Sequence, residues 1–271
     1  MITPKLQKQR IIEYLKEGKR LDGRKPDEYR KIEVTIGISN QAEGSCSVKF
    51  GKTEVYAGVK LGISEPYSDG PDEGTFMATA ELSPMASPDF EMGPPGIKAI
   101  ELGRIIDRGI RESGLIDFKK LCIEEGKKVW SVYLDLYAVN DDGNLIDVAA
   151  LAALIALANA KLPVYNEKEE KIEHKLSKTP LPLNKDALAF NITLHKIGDT
   201  IIADPSREEE EISDARMSIA ISDNDGEIRI TSVQKGKDIP LSTDEMEKIF
   251  SMIEDKSKEL VPALLKYVWG K

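Results

Sequence analysis

Apolar and polar residues alternate in Ile32-Glu-Val-Thr-Ile-Gly-Ile38, the period of a half-buried strand. Ser45 to Phe50 and Thr53 to Leu61 alternate in the same way on either side of Gly51-Lys52, which predicts a β-hairpin with a two-residue turn. Further strands are expected at Met77 to Leu82 and Val129 to Val139. Leu6 to Lys19 instead has the three-to-four spacing of a short amphipathic helix that stops at Gly18. Ile97 to Ser113 has it too: Leu102, Ile105, Ile106 and Ile110 share one face, and Gly114 supplies the stop. Leu145 to Lys161 is apolar on nearly every side, so it reads as a buried helix, with Pro163 ending it. Glu65 to Gly74 and the proline-rich Pro84 to Gly96 read as loops.

The second half repeats the theme of strands followed by a helix. Strands are expected at Phe190 to Ile197, Thr200 to Asp204, Met217 to Ser222 and Glu227 to Val233, with Asn224-Asp-Gly226 turning between the last two. Ser242-Thr-Asp-Glu245 is a capping box, and Met246, Ile249, Phe250, Ile253 and Leu260 give the helix it opens an apolar face. Pro262 should kink or end that helix. The pattern implies an α+β protein whose sheets are covered on one face by helices. The expected organisation is an amino-terminal half over 1–164, a charged connection over 165–186 and a carboxy-terminal half over 187–271.

Composition narrows the function. A chain of 271 residues with 41% hydrophobic and 31% charged residues is an ordinary globular protein. Its net charge of −9 argues against a protein that coats nucleic acid non-specifically, so any RNA contact has to use a local basic patch. Cys46 and Cys122 form no disulfide framework and read as structural thiols in a reducing compartment. His174 and His195 have no Cys or His at metal-ligand spacing, so no zinc or other cofactor is expected. The charged amino terminus does not resemble a signal peptide, and Val148 to Ala158 is too short to span a bilayer. A cytoplasmic protein that does not contact a membrane is the expectation.

Two segments carry candidate chemistry. Asp204-Pro-Ser-Arg-Glu-Glu-Glu-Glu-Ile-Ser-Asp-Ala-Arg216 crowds carboxylates after a strand, as a site that holds a divalent metal or moves protons does, but it ends in a cation. A guanidinium is neither a base nor a metal ligand. Charge alone favours a solvated surface loop over Arg207 to Glu211. In the helix Ile97 to Ser113, Arg104, Arg108 and Arg111 line the face opposite the apolar one. Such a row suits the phosphates of a single strand, since each guanidinium grips two oxygens. Asp107 and Glu112 lie at salt-bridging distance along the helix, so a paired surface face and a subunit interface remain open.

Arg20-x-Asp-Gly-Arg24, the Gly-Ser-Cys-Ser-Val-Lys-Phe-Gly hairpin, Ile100-Glu-Leu-Gly-Arg-Ile-Ile-Asp-Arg108, Asp135-Leu-Tyr-Ala-Val-Asn-Asp-Asp-Gly143 and Asp204-Pro-x-x-Glu208-Glu209 occur in one order. This set resembles the RNase PH family of phosphate-dependent exoribonucleases from about Arg20 to the carboxy-terminal helix. Gly93-Pro-Pro-Gly96 and Asp214-Ala-Arg216 make the non-catalytic subunits of archaeal exosome rings the nearest likeness. The resemblance implies two βαβα-type halves with mixed sheets covered by helices. It also implies a ring of three heterodimers with a catalytic RNase PH-like subunit, RNA-binding cap subunits, and single-stranded RNA as ligand.

Active members of the family bind phosphate with a loop of the type Asp-Gly-Gly-(Ser/Thr)-Arg. Here that position reads Asp141-Asp-Gly-Asn144-Leu145, and an alkyl chain cannot donate a hydrogen bond. Where active members carry two aspartates, this chain has Glu210 and Arg216. Loss of both the cradle and the acid costs well over ~4 kcal/mol of transition-state stabilisation, judged from single-donor losses. The expectation is an inactive subunit of a 3′-to-5′ exoribonuclease ring with no catalytic residues of its own, in which Arg104, Arg108 and Arg111 bind RNA. The rival is an active phosphate- or Mg²⁺-dependent exoribonuclease built on Asp204 and Glu208 to Glu210, and a plain scaffold is the third reading.

Overall fold

The computed structural model describes residues 3–166, 171–224 and 227–270. Five strands in the order β1-β2-β3-β6-β4 build the first sheet: β1 (Ile32–Ile36), β2 (Gly44–Phe50), β3 (Thr53–Ser64), β4 (Thr75–Leu82) and β6 (Lys128–Asn140). A short β5 (Cys122–Glu124) adds to β6. The hairpin predicted at Gly51 is present, with Phe50 opposite Thr53. The sheet is mixed because β4 runs parallel to β6, with helix α2 (Ile97–Ser113) in the connection between them. β9 (Leu188–Ile197), β10 (Thr200–Ala203), β11 (Ala215–Asn224) and β12 (Glu227–Gly236) form a second, antiparallel sheet in the order β10-β9-β11-β12.

Helix α3 (Leu145–Ala158) explains how the sheets are joined. Every residue from Ile146 to Leu157 is buried, as its unbroken apolar sequence requires. It touches β2, β3 and β6 of one sheet and β9 of the other, and α2 likewise touches β4 on one side and β9, β11 and β12 on the other. Both helices therefore lie between the sheets, and one continuous apolar core runs through them. Helix α1 (Lys5–Lys16) closes a smaller cluster in which Ile11 and Leu15 pack with Ile197, Ile202 and Ile212.

Three expectations are corrected. The buried helix ends at Ala158 rather than Lys161, and Pro163 lies within a strand, β7 (Lys161–Asn166), that pairs with β8 (Lys171–Pro180). A two-stranded ribbon therefore occupies much of what reads as a charged connection; its alternation is masked by interspersed lysines and glutamates. Pro262 does not end the last helix, α5 (Thr243–Val268), which continues past it. Burial of Leu260, Leu264 and Val268 on either side outweighs a penalty of about 3 kcal/mol for an interior proline. Arg207 to Glu211 is not a solvated loop: Arg207–Ile212 is a short helix, α4, capped by Ser206. The Ser242 capping box is formed as predicted. The turn at Asn224-Asp-Gly226 and the side chain of His174 lie outside the described residues.

Candidate functional site

The loop from β6 to α3 and the segment from β10 to α4 meet face to face. Gly143 has φ 90°, and a Cβ there would stand 2.5 Å from the carbonyl oxygen of Pro205 and 2.6 Å from the amide of Arg207. Only glycine lets the two backbones approach so closely. Arg207 donates its amide to Asp142 across this contact, at 3.1 Å. The next residue, Asn144, takes the left-handed conformation (φ 59°), as does Asp204 (φ 44°) opposite it. Such residues are held only where several contacts fix them.

Those contacts are numerous. Asp204 is fully buried, and Oδ1 accepts from Arg30 Nη2 at 2.7 Å and Asn144 Nδ2 at 2.8 Å. Its Oδ2 accepts from Arg24 Nη1, from the Arg30 amide and from Arg30 Nε, at 2.9, 2.7 and 2.9 Å. Burial alone would raise its pKa, but the hydrogen bonds and charge of Arg30 outweigh that and hold the carboxyl below its usual range. Arg20, 2% exposed, forks onto Glu209 and donates to the carbonyls of Ala203 and Asp204 at 2.9 and 2.8 Å. Glu209 also closes the α4 capping box with Ser206. Of the four acids singled out in the sequence, Asp204 and Glu209 are thus consumed by arginines, and Glu208 is exposed. These acids do not converge on one point.

Glu210 faces a different set of groups. Its Oε1 accepts the amide of Asn144 at 2.7 Å, at the start of α3, and lies 4.0 Å from His195 Nε2. Burial raises the Glu210 pKa to about 7, with a further push from the charge of Asp141, against the Asn144 amide and the cations Arg216 and Arg30. Burial also pushes His195 down to about 3, helped by Lys237 and Arg216, so the imidazole is neutral and its Nδ1 pairs with Ser213 Oγ at 3.0 Å. Asp147, one turn into α3, is buried with Tyr29 Oη, the Thr193 amide and Asn144 Nδ2 all donating to Oδ2. Leu145 packs against the cluster of Ala86, Phe90 and Ala138, so this side chain joins the apolar interior beneath the proline-rich loop.

Arg216 reaches from the start of β11 to α2, where it pairs with Glu101. The α2 arginines divide. Arg111 is tied down by Asp107 and by the carbonyl of Phe76, whereas Arg104 and Arg108 are exposed and make no ion pair with a described residue. Sequence reasoning quoted Arg20 and Arg24 only as parts of a motif and gave no role to Arg30, Asp147 or Glu101. The spacing Arg20-x-Asp-Gly-Arg24 was the one signal available, since their partner Asp204 is remote in the chain.

Residues 28–163 match the 3′ exoribonuclease family, domain 1, and residues 188–252 match domain 2 of the same family, RNase PH. The exosome complex component Rrp42 of Methanothermobacter thermautotrophicus is 42% identical over 268 residues, covering 98% of this chain and 96% of that protein. Rrp42 of Thermoplasma acidophilum is 41% identical, with coverages of 96% and 95%. A chain of the Archaeoglobus fulgidus exosome solved with RNA bound to the active site superposes with a TM-score of 0.85 at 39% identity, covering 95% of this chain and 97% of that one. Rice Rrp46 shares the fold, with a TM-score of 0.67 at 18% identity. The chain belongs to the RNase PH family of 3′ exoribonucleases.

Proposed function

We propose that this chain is a non-catalytic subunit of an exosome core ring. It assembles with a catalytic RNase PH-like subunit as three heterodimers, carries RNA-binding cap subunits, and acts in the cytoplasm. It contributes Arg104, Arg108 and Arg111 to binding single-stranded RNA, and Arg104 and Arg108 have guanidinium groups free to grip phosphates. Its surfaces order the partner's active site.

The observation that carries this reading is the state of the loop 141–145. Its Asn144 amide is taken by Glu210, its Asn144 side chain by Asp204 and Asp147, and its Leu145 by apolar neighbours. A site for inorganic phosphate needs free donors at this place, and an acid for the leaving group needs a carboxyl where Arg216 stands. Similarity to Rrp42 proteins over nearly the whole chain supports the ring assignment.

The purified chain, incubated with single-stranded RNA, phosphate and Mg²⁺, is expected to leave the RNA at full length. The same assay after mixing with a catalytic RNase PH-like subunit is expected to shorten it. Shortening by the chain alone would overturn the assignment. In the assembled ring, Arg104→Ala with Arg108→Ala is expected to weaken RNA binding while the mass of the assembly stays constant; dissociation of the ring would instead make the stripe an interface.

A further inference from the structure

The cation at position 216 sits in a built environment. Arg216 pairs across the sheet with Gly236, and a Cβ on Gly236 would stand 2.8 Å from the guanidinium carbon. The missing side chain is therefore the slot through which the guanidinium lies across the backbone toward α2. There Nη2 meets Glu101, while Nε is buried and has no hydrogen-bond partner. The Arg216 side chain is 18% exposed, so it is not sealed within the interior.

Glu101 places this group beside the arginine stripe. Glu101, Arg104 and Arg108 are spaced by three and four residues, so they share one flank of α2. Two helical turns separate Glu101 from Arg108, about 10 Å along the axis. Arg104 and Arg108 then continue from Arg216 along α2 as a row of guanidiniums, with Glu101 and Glu112 as the carboxylates on that flank. Lys237, next in the chain to Gly236, adds a cation on the same corner, where Nζ is pinned to the carbonyls of Glu210 and Ser213. A guanidinium has five donors; Glu101 occupies one and Nε is buried, which leaves the remaining Nη hydrogens for a phosphodiester.

We propose that Arg216 is a further RNA-contacting residue, which extends the Arg104–Arg108 stripe across the junction of α2 and β11 by binding a backbone phosphate. The inference rests on the RNA-binding reading of that stripe. A plain strut between α2 and β11 is the competing role, and the two differ in sign. A phosphate contact makes Glu101 an unfavourable neighbour of RNA; a strut makes Glu101 and Arg216 equal partners.

The test uses the full chain assembled with a catalytic RNase PH-like subunit and fluorescence anisotropy of a labelled single-stranded RNA across a salt series. Arg216→Gln is expected to weaken binding about tenfold and to lower the salt dependence by about 0.7 in log–log slope, the loss of one single-strand phosphate contact. Arg216→Lys keeps a cation and is expected to keep the wild-type slope. Glu101→Gln is expected to tighten binding. An unchanged slope in Arg216→Gln, or an unchanged or weaker affinity in Glu101→Gln, overturns the proposal. If Arg216→Gln does not assemble, the Glu101→Gln measurement decides alone. Arg104→Gln with Arg108→Gln, run in parallel, separates the failures: if it weakens RNA binding and Arg216→Gln does not, only this inference falls, and if neither weakens it, the RNA-binding reading falls with it.

Discussion

Replacing Asp147 by Asn isolates the cost of a buried charge at the heart of the site. Asp147 is 2% exposed, and one of its oxygens, Oδ1, has no hydrogen-bond partner. Burial lifts its pKa from 3.8 to about 7, and the nearby charge of Asp204 adds to this, while hydrogen bonds from Thr193 and Asn144 oppose it. A folded-state pKa above the unfolded one means that the folded protein holds the proton more tightly. The contribution of Asp147 to stability is then greatest below about pH 4, falls as pH rises toward 7, and is flat above. At about 1.4 kcal/mol per tenfold, the full loss is about 4 kcal/mol, of which about 2–3 kcal/mol falls between pH 5 and pH 8.

Asn has the same shape and no charge, so Asp147→Asn removes this slope. Its new amide group faces the position that has no partner, which costs about 1–3 kcal/mol at every pH. The variant should therefore be less stable than the wild type at pH 5 and should recover about 2–3 kcal/mol relative to it by pH 8. Glu210 titrates in the same range but is present in both proteins, so it cancels in the difference. Urea unfolding of the two proteins at pH 5, 6, 7 and 8 measures this. A difference in unfolding free energy that stays constant over that range would refute the reasoning.

Two further outcomes follow from packing and pairing. Arg20→Met strands the buried Glu209 carboxylate without its fork and should cost about 3–5 kcal/mol, read as a lowered urea midpoint. Gly44→Ala puts a Cβ 2.3 Å from the carbonyl oxygen of Ala156 and 2.8 Å from Ala160, both backbone, so β2 and α3 have to separate; a loss of about 1–3 kcal/mol or more should appear as a lowered melting temperature.

Much of the fold was legible because it rests on local periodicity. The alternation around Gly51 and the stop at Gly114 each specify one conformation that neighbouring residues satisfy, and each formed as read; the apolar sequence of α3 gave a buried helix, though it ends three residues earlier than expected. The Ser242 box is equally local. The β7–β8 ribbon was not legible, since its lysines and glutamates follow no clear period of two. Pro262 does not end α5 because tertiary burial, which a local penalty leaves out, opposes it.

The site divides in the same way. Sequence alone determined which chemical groups are present: Leu145 where a donor is needed, Arg216 where an acid is needed, and Arg104, Arg108 and Arg111 on one helix face. Only the tertiary structure decided what the acids do. Asp204 and Glu209 read as candidate ligands until Arg20, Arg24 and Arg30, some 180 residues away in the chain, are seen to enclose them. A carboxylate's role depends on which charges and donors surround it in a low-dielectric interior, and those neighbours are brought together by folding rather than by spacing along the chain.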